Sequence, residues 1–288
     1  VTPAPASATV RPAASCSALL ASAYRRLGAL CPALGLTVAE PPAPAGQGWA
    51  DGAELVLRPP LLEALLVAEA EGIRERYGVG PRPDVAATRI LHGWLWSVCL
   101  LVSGPWYLER RVPRLRADEV RVHLSSGAWQ VVPGAFTCLP GDPAAGLPGV
   151  RTVPDEDALR AEVRETAARL ARPLLGALGP RLRRGPRALW GMVGDDLVSG
   201  VWYLGRMLGE EEAAVGAAGE LLPGRVGPFP GGADFRTLTG RGGARHPTRT
   251  RLGCCLHYTV RPLEACATCP RTCDTERLRR LEEEAAGG

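Results

Sequence analysis

Residues 90–108 read ILHGWLWSVCLLVSGPWYL. The stretch carries no charge when His92 is neutral, and its length invites comparison with a bilayer span, which takes about 20 mainly apolar residues. Gly93, Gly104, Pro105 and two serines, Ser97 and Ser103, interrupt it. It therefore reads as a buried core helix ending near Ser103. Upstream, Asp84 is a plausible N-cap, because its carboxylate can accept the orphan backbone N–H groups of a first turn. Ala86, Ala87, Ile90, Leu91, Trp94, Leu95, Val98, Leu101 and Val102 give this helix an apolar face so wide that it belongs at the centre of the core.

Other helices are expected on either side. From Ser15 to Cys31, residues Leu19, Leu20, Ala23, Leu27 and Leu30 share one helical face. A second helix is expected from Pro60 to Tyr77, with Leu61, Leu62, Leu65, Leu66 and Ala68 turned inward. Asp155 or Asp157 starts a strong helix to about Leu175. Pro186 suits the first turn of the next, which carries Leu189, Trp190, Val193, Leu197, Val201, Tyr203 and Leu204. Glu210 to Leu222 reads as a shorter helix, and the charged residues after Cys273 as another. Between them, Glu119 to Pro133 changes period. Val120, Val122 and Leu124 alternate with Arg121 and His123, and Trp129, Val131 and Val132 follow the Ser125-Ser126-Gly127 turn, as in a β-hairpin. Pro41–Gly52 and Gly141–Pro154 read as loops, and Pro223–Thr250 as an irregular connector. The expected fold class is α+β, predominantly helical. Residues 1–15 form a disordered tail, 16–222 the helical body, and 223–288 a connector with a cysteine-rich C-terminal segment.

The chain has 288 residues, a hydrophobic fraction of 46%, ample for a packed core, and a formal net charge of +4, too mild to demand nucleic acid as a partner. Lysine and asparagine are absent, so every basic residue is arginine, a bias that codon usage in a GC-rich genome explains. Pro3, Pro5 and Pro12 break any apolar run of the kind a secretory signal needs, which points to the cytoplasm.

The cysteines carry the chemistry. There are nine. Cys16, Cys31, Cys99 and Cys138 are scattered in apolar surroundings and read as small buried hydrophobes. Cys254, Cys255, Cys266, Cys269 and Cys273 crowd near the C-terminus, and without an export signal such a group points to metal rather than disulfides. Soft thiolates suit iron–sulfur and zinc centres alike. Cys266-Ala-Thr-Cys269 can chelate from a tight turn. The vicinal Cys254-Cys255 pair diverges in extended chain, so two separate attachment points, as a two-iron core offers, suit it better than one small ion. Structural zinc on four cysteines remains the alternative, although only one half has the usual knuckle spacing.

Cys254-Cys255, ten intervening residues and then Cys266-x-x-Cys269 resemble the C-terminal iron–sulfur motif of FhuF-like ferric-siderophore reductases. Asp84-Val-Ala-Ala-Thr-Arg-Ile-Leu is similar to that family's central helix. Arg187-Ala-Leu-Trp-Gly-Met-Val-Gly-Asp-Asp-Leu197 is similar to the helix before its cluster segment. The resemblance implies a [2Fe–2S] cluster held by Cys254, Cys255, Cys266 and Cys269, with Cys273 outside the motif. It also implies a reductase, free in the cytoplasm or at the inner face of the cell membrane, that converts iron(III) in imported siderophore chelates, often hydroxamates, to iron(II). No dinucleotide fingerprint or P-loop is present, so electrons would come from a ferredoxin or flavoprotein reductase. No catalytic residue is assigned. Two other functions stay open: a non-redox binding protein stapled by zinc, and an iron–sulfur carrier or sensor.

Further residues have a functional and a plainer reading. Arg241, Arg245, Arg249 and Arg251, with His246 and His257, flank the segment and would attract an anionic chelate or an acidic donor; the plainer reading is ordinary surface arginines. His257 is also an alternative ligand of the Rieske kind. Trp94, Trp96 and Trp106 line a siderophore pocket or simply fill core. Asp195 and Asp196 invite capping or an arginine pair, and Arg181, Arg183, Arg184 and Arg187 a solvated turn.

Overall fold

The computed structural model describes residues 15–40, 48–262 and 264–287. The expected tail, apart from Ser15, and most of the Pro41–Gly52 loop lie outside the described residues. In chain order the elements are α1 (Cys16–Leu30), β1 (Thr37–Val38), β2 (Trp49–Asp51), α2 (Gly52–Leu57), α3 (Pro59–Tyr77), α4 (Pro83–Glu109), β3 (Val112–Pro113), β4 (Val120–His123), β5 (Trp129–Val131), β6 (Phe136–Cys138), β7 (Val150–Thr152), α5 (Glu156–Leu182), α6 (Pro186–Leu208), α7 (Glu211–Leu221), β8 (Arg236–Thr239), β9 (Arg245–Thr248) and α8 (Asp274–Gly287). The fold is α+β and predominantly helical, as expected.

Helix α4 is the hub. It packs against α1, α3, α5 and α6, and 72% of its most apolar window is buried inside the protein. An all-round apolar helix needs such a surround, so its hydrophobicity is accounted for by core packing. The helix does not stop near Ser103 but runs through Pro105 to Glu109. Proline has no N–H, which frees the carbonyl four residues back. That carbonyl, on Leu101, accepts the buried Tyr24 hydroxyl at 3.1 Å, so α1 completes the helix that Pro105 interrupts. The start differs too. Pro83 occupies the first turn and Arg82 the cap. Asp84 is already helical, with Oδ1 and Oδ2 accepting from Arg82 Nε at 3.0 Å and Nη2 at 2.8 Å.

Asp155 does cap α5, accepting from the Ala158 N–H at 2.8 Å. This helix passes Leu175 and continues to Leu182, because Leu174, Leu175, Leu178 and Leu182 are all buried. On α3, Leu62 is buried and Leu61, Leu65 and Leu66 are half-buried, but Ala68 faces solvent. Cys31, Cys99 and Cys138 are buried as expected, whereas Cys16 is only partly covered.

The expected hairpin forms from β4 and β5, pairing Val120 with Val131 and Val122 with Trp129. It lies within a larger sheet of order β1-β5-β4-β2. Three loops hold unexpected strands. Trp49–Asp51 pairs with β4, Val150–Thr152 with β6, and β8 and β9 form a ribbon inside the supposed connector. Each is four residues or fewer, too short to show a period of two.

Helices α6 and α7 meet at glycine. A Cβ on Gly205 would overlap Ala214 Cβ and stand 3.1 Å from the Glu210 carbonyl, whereas one on Gly216 meets nothing within 4 Å. We expect Gly205→Ala to cost roughly 1–3 kcal/mol of stability and Gly216→Ala to be neutral or stabilising by about 0.4–1 kcal/mol. Urea denaturation of the two variants checks the contrast.

Candidate iron–sulfur site

The cysteine segment lies against α6 through backbone. Gly253 has no side chain where a Cβ would overlap Met192 Cγ and stand 3.2 Å from both Met192 N and Cα. On the helix, a Cβ added to Gly191 would stand 3.1 Å from Leu252 Cβ. Two glycines thus let chain and helix touch.

The contact is fixed by a buried ionic network. Asp195 accepts from the Gly253 N–H at 2.6 Å, the Leu252 N–H at 3.1 Å and Arg249 Nη2 at 2.6 Å. Arg249 also donates to the Ala233 carbonyl at 2.9 Å. Its neighbour Asp196 accepts from Arg251 Nη2 at 2.9 Å, and His92 Nδ1 of α4 stands 3.0 Å from the same carboxylate. The other ring nitrogen, His92 Nε2, stands 3.4 Å from Arg251 Nη1. Arg249 and Arg251 are therefore not surface arginines. Their side chains are 1% and 6% exposed, against 0% for both carboxylates. Arg241 and Arg245 do face solvent.

Beyond Gly253 the chain bends at Leu256, which takes a left-handed conformation (φ 60°). Leu256 and Val260 then pack with Ile73 and Val85 in a small apolar cluster of their own, with Cys254, Tyr77 and Tyr258 at its margin. The second cysteine pair is closed by a turn in which the Cys269 N–H donates to the Cys266 carbonyl at 2.9 Å. The first pair is thereby brought to the second. Cys255 and Cys266 share a hydrogen bond, which pulls the Cys255 thiol down to about 5, helped by the His257 N–H, His92 and Arg251 against burial. The same bond, reinforced by burial, pushes Cys266 up. Burial chiefly raises Cys254, and the charges of Cys255 and Cys269 raise it further.

Guanidinium groups grip the backbone around these thiols. Arg184 donates to the Cys254 carbonyl at 2.6 Å, and Arg280 to the Ala265 carbonyl at 2.7 Å. Arg277, fully buried, donates to the carbonyls of Cys269 (2.9 Å), Thr272 (3.1 Å) and Arg249 (3.0 Å). None of these three is assigned a role at the cysteines by the sequence. Arg184 sits in the run that reads as a solvated turn, and Arg277 and Arg280 in the charged tail. The signal available was only the surplus of arginine near the cysteines.

The remaining candidates separate clearly. The His257 ring stands against Arg89 and Tyr77 rather than among the thiols. Cys273 is exposed. Trp94 and Trp106 are buried in the core, whereas Trp96 is half-buried. Among the described residues, no three His, Cys, Asp or Glu side chains gather closely enough to hold a single metal ion. Four soft thiols in two linked pairs, backed by cationic side chains, fit a binuclear iron–sulfur group, whose four thiolates bring negative charge.

Such a segment is that of an iron–sulfur protein, and comparison with known families agrees. Residues 251–271 match the family model described as the FhuF 2Fe-2S C-terminal domain. This segment is FhuF-like, a C-terminal 2Fe-2S motif with a [2Fe–2S] cluster as its cofactor. The match is confined to this segment, and no curated protein matches the chain significantly.

Removing Asp195 would leave Arg249 buried without its carboxylate and two N–H groups without an acceptor. We expect Asp195→Ala to cost about 3–5 kcal/mol and to lower iron retention. Glu264→Ala, which breaks an exposed pair with Arg261, should leave both unchanged. Chemical denaturation and iron content of the purified proteins check this.

Proposed function

We propose that Cys254, Cys255, Cys266 and Cys269 hold the [2Fe–2S] cluster and that the protein reduces iron(III) in siderophore chelates, releasing iron(II) in the cytoplasm after uptake. The observation that carries this reading is the convergence of the two cysteine pairs on one buried, arginine-backed face of α4 and α6. The cluster supplies a one-electron couple.

The chain's own residues then have three tasks. The Asp195 and Asp196 network fixes the first cysteine pair to α6, and Arg277 ties the second pair to α8. The guanidinium groups of Arg184, Arg251, Arg277 and Arg280 offset the negative charge of thiolates and cluster, which favours acceptance of a further electron. Burial of Cys269 and part-burial of the other three limit water at the sulfurs. The substrate takes one electron: chelated iron(III) becomes iron(II), which hard oxygen donors hold far less tightly. No carbon bond breaks, and an external one-electron donor, a ferredoxin or flavoprotein reductase, restores the protein. A hydroxamate chelate is the expected substrate, met free in the cytoplasm or at the membrane's inner face.

Anaerobically purified protein should contain iron and acid-labile sulfide in near-equal amounts and develop a paramagnetic resonance signal on one-electron reduction. That signal should vanish in Cys255→Ser and Cys266→Ser and persist in Cys273→Ser. The reduced protein should pass iron from a ferric trihydroxamate to an iron(II)-specific chelator. Stoichiometric zinc without iron, or an iron-loaded protein inert towards every ferric chelate, would overturn the proposal.

A further inference from the structure

Beside the thiols lies a cleft of about 670 Å³, within the roughly 300–1,000 Å³ of typical small-molecule sites. One wall is aromatic. Trp96 of α4 and Tyr203 of α6 meet edge to face, their rings 5.7 Å apart at 77°. Another part of the lining belongs to the cysteine segment: Ala267 and Thr268, the two residues between Cys266 and Cys269, line the cleft together with Arg251. Arg206 stands at the edge, exposed, with only the Trp202 ring 6.0 Å beneath its guanidinium. Among the described residues no carboxylate forms an ion pair with Arg206, and none lines the cleft.

Two of the other clefts share part of its rim, Gly93 with one and Trp202 and Arg206 with another. Of these other clefts, one runs between Glu69 and His123, one along Arg236 and Arg245, one beside Leu281 and one under Trp129, and among the described residues none from Arg251 to Cys269 borders them. Electron transfer weakens steeply with distance, so a substrate reduced through the cysteine segment must sit where the segment forms the wall.

We propose that this cleft receives the ferric chelate, a compact iron(III) complex with an oxygen-donor core and an apolar periphery. Trp96 and Tyr203 cover its carbon skeleton, and Arg206 faces its oxygen atoms. The inference rests on the proposed reductase function. One electron enters the chelated iron(III) from the Ala267-Thr268 side and leaves iron(II), and the external donor supplies that electron.

The test uses cluster-loaded, oxidised protein and the gallium(III) complex of a trihydroxamate, which copies the ferric complex in charge and shape and takes up no electron. Calorimetry reads its binding, and the visible spectrum of each variant reports whether the cluster is intact. Gly93 lines the cleft, has open space where a Cβ would go and also borders the Glu69–His123 cleft, so Gly93→Trp sets a bulky ring at the rim from an exposed position without disturbing the core. We expect wild-type protein to bind the gallium complex, and the complex to compete with reduction of its ferric counterpart. Gly93→Trp and Trp96→Ala should weaken binding at least about tenfold, and Arg206→Glu about fivefold. Equal binding by wild type, Gly93→Trp and Trp96→Ala, with spectra intact and reduction preserved, would place the chelate elsewhere and overturn the cleft alone. A wild-type protein that reduces no ferric chelate would sink the reductase reading, and the cleft with it.

Discussion

Two adjacent carboxylates on one helix hold the cysteine segment in place. Neighbouring residues on a helix point in different directions, and the structure uses the divergence. Asp195 faces the chain at Leu252 and Gly253, whereas Asp196 faces α4 and His92. Arg249 and Arg251 are two residues apart, the spacing that puts side chains on one side of an extended chain; Arg249 meets Asp195, and Arg251 meets Asp196 and, at 3.8 Å, Asp195 as well. Four buried charges cancel in pairs, at a desolvation cost that hydrophobic packing would avoid. What the network adds is position. An apolar contact could slide by a residue, but a carboxylate that receives two particular N–H groups and a guanidinium cannot.

That fixed point sets the electrostatics of everything after it. The guanidinium groups that touch the cysteine segment come from separate parts of the chain: Arg184 between α5 and α6, Arg251 before the first thiol pair, and Arg277 and Arg280 on α8. Three of them donate to carbonyl groups at or beside a cysteine. From such a position Arg184 favours the charged form of Cys254. The Cys255 thiol is depressed chiefly by its hydrogen bond with Cys266, and His92 and Arg251 add to the effect. Replacement of any one cation would leave the others in place, but loss of Asp195 or Asp196 would release the segment from the field.

The sequence announced the helices better than the site. Wide apolar periodicity marked α4, Asp155 the cap of α5 and Pro186 the first turn of α6, since each of these signals is local. The end of α4 was illegible because Leu101 finds its replacement donor, Tyr24, far away in α1. The strands β2, β7, β8 and β9 were illegible because each has only three or four residues and lies in a Gly- and Pro-rich stretch. At the site, cysteine spacing exposed the chemistry, since chelation demands it. The burial of Arg249 and Arg251 was hidden, because a Gly- and Arg-rich stretch looks solvated until the two carboxylates that neutralise it are in view. Asp195-Asp196 in an apolar helix was the available hint: two buried charges require counter-charges, and arginine was the only basic residue with the reach to supply them.

The helical body does more than support a metal-binding tail. His92 and Arg251 belong both to the network under the thiols and to the lining of the neighbouring cleft. Trp96 follows His92 by four residues on α4, and Arg206 lies on α6 with Asp195. The same two helices therefore present the cleft and anchor the cysteine segment, and α4 and α6 are packed along each other in the core. Neither face can shift without the other. Such rigidity suits one-electron chemistry, in which no bond in the protein is made or broken and the work lies in holding donor and acceptor at a constant separation. The buried aspartates, whose cost to stability would otherwise be hard to justify, serve that constancy.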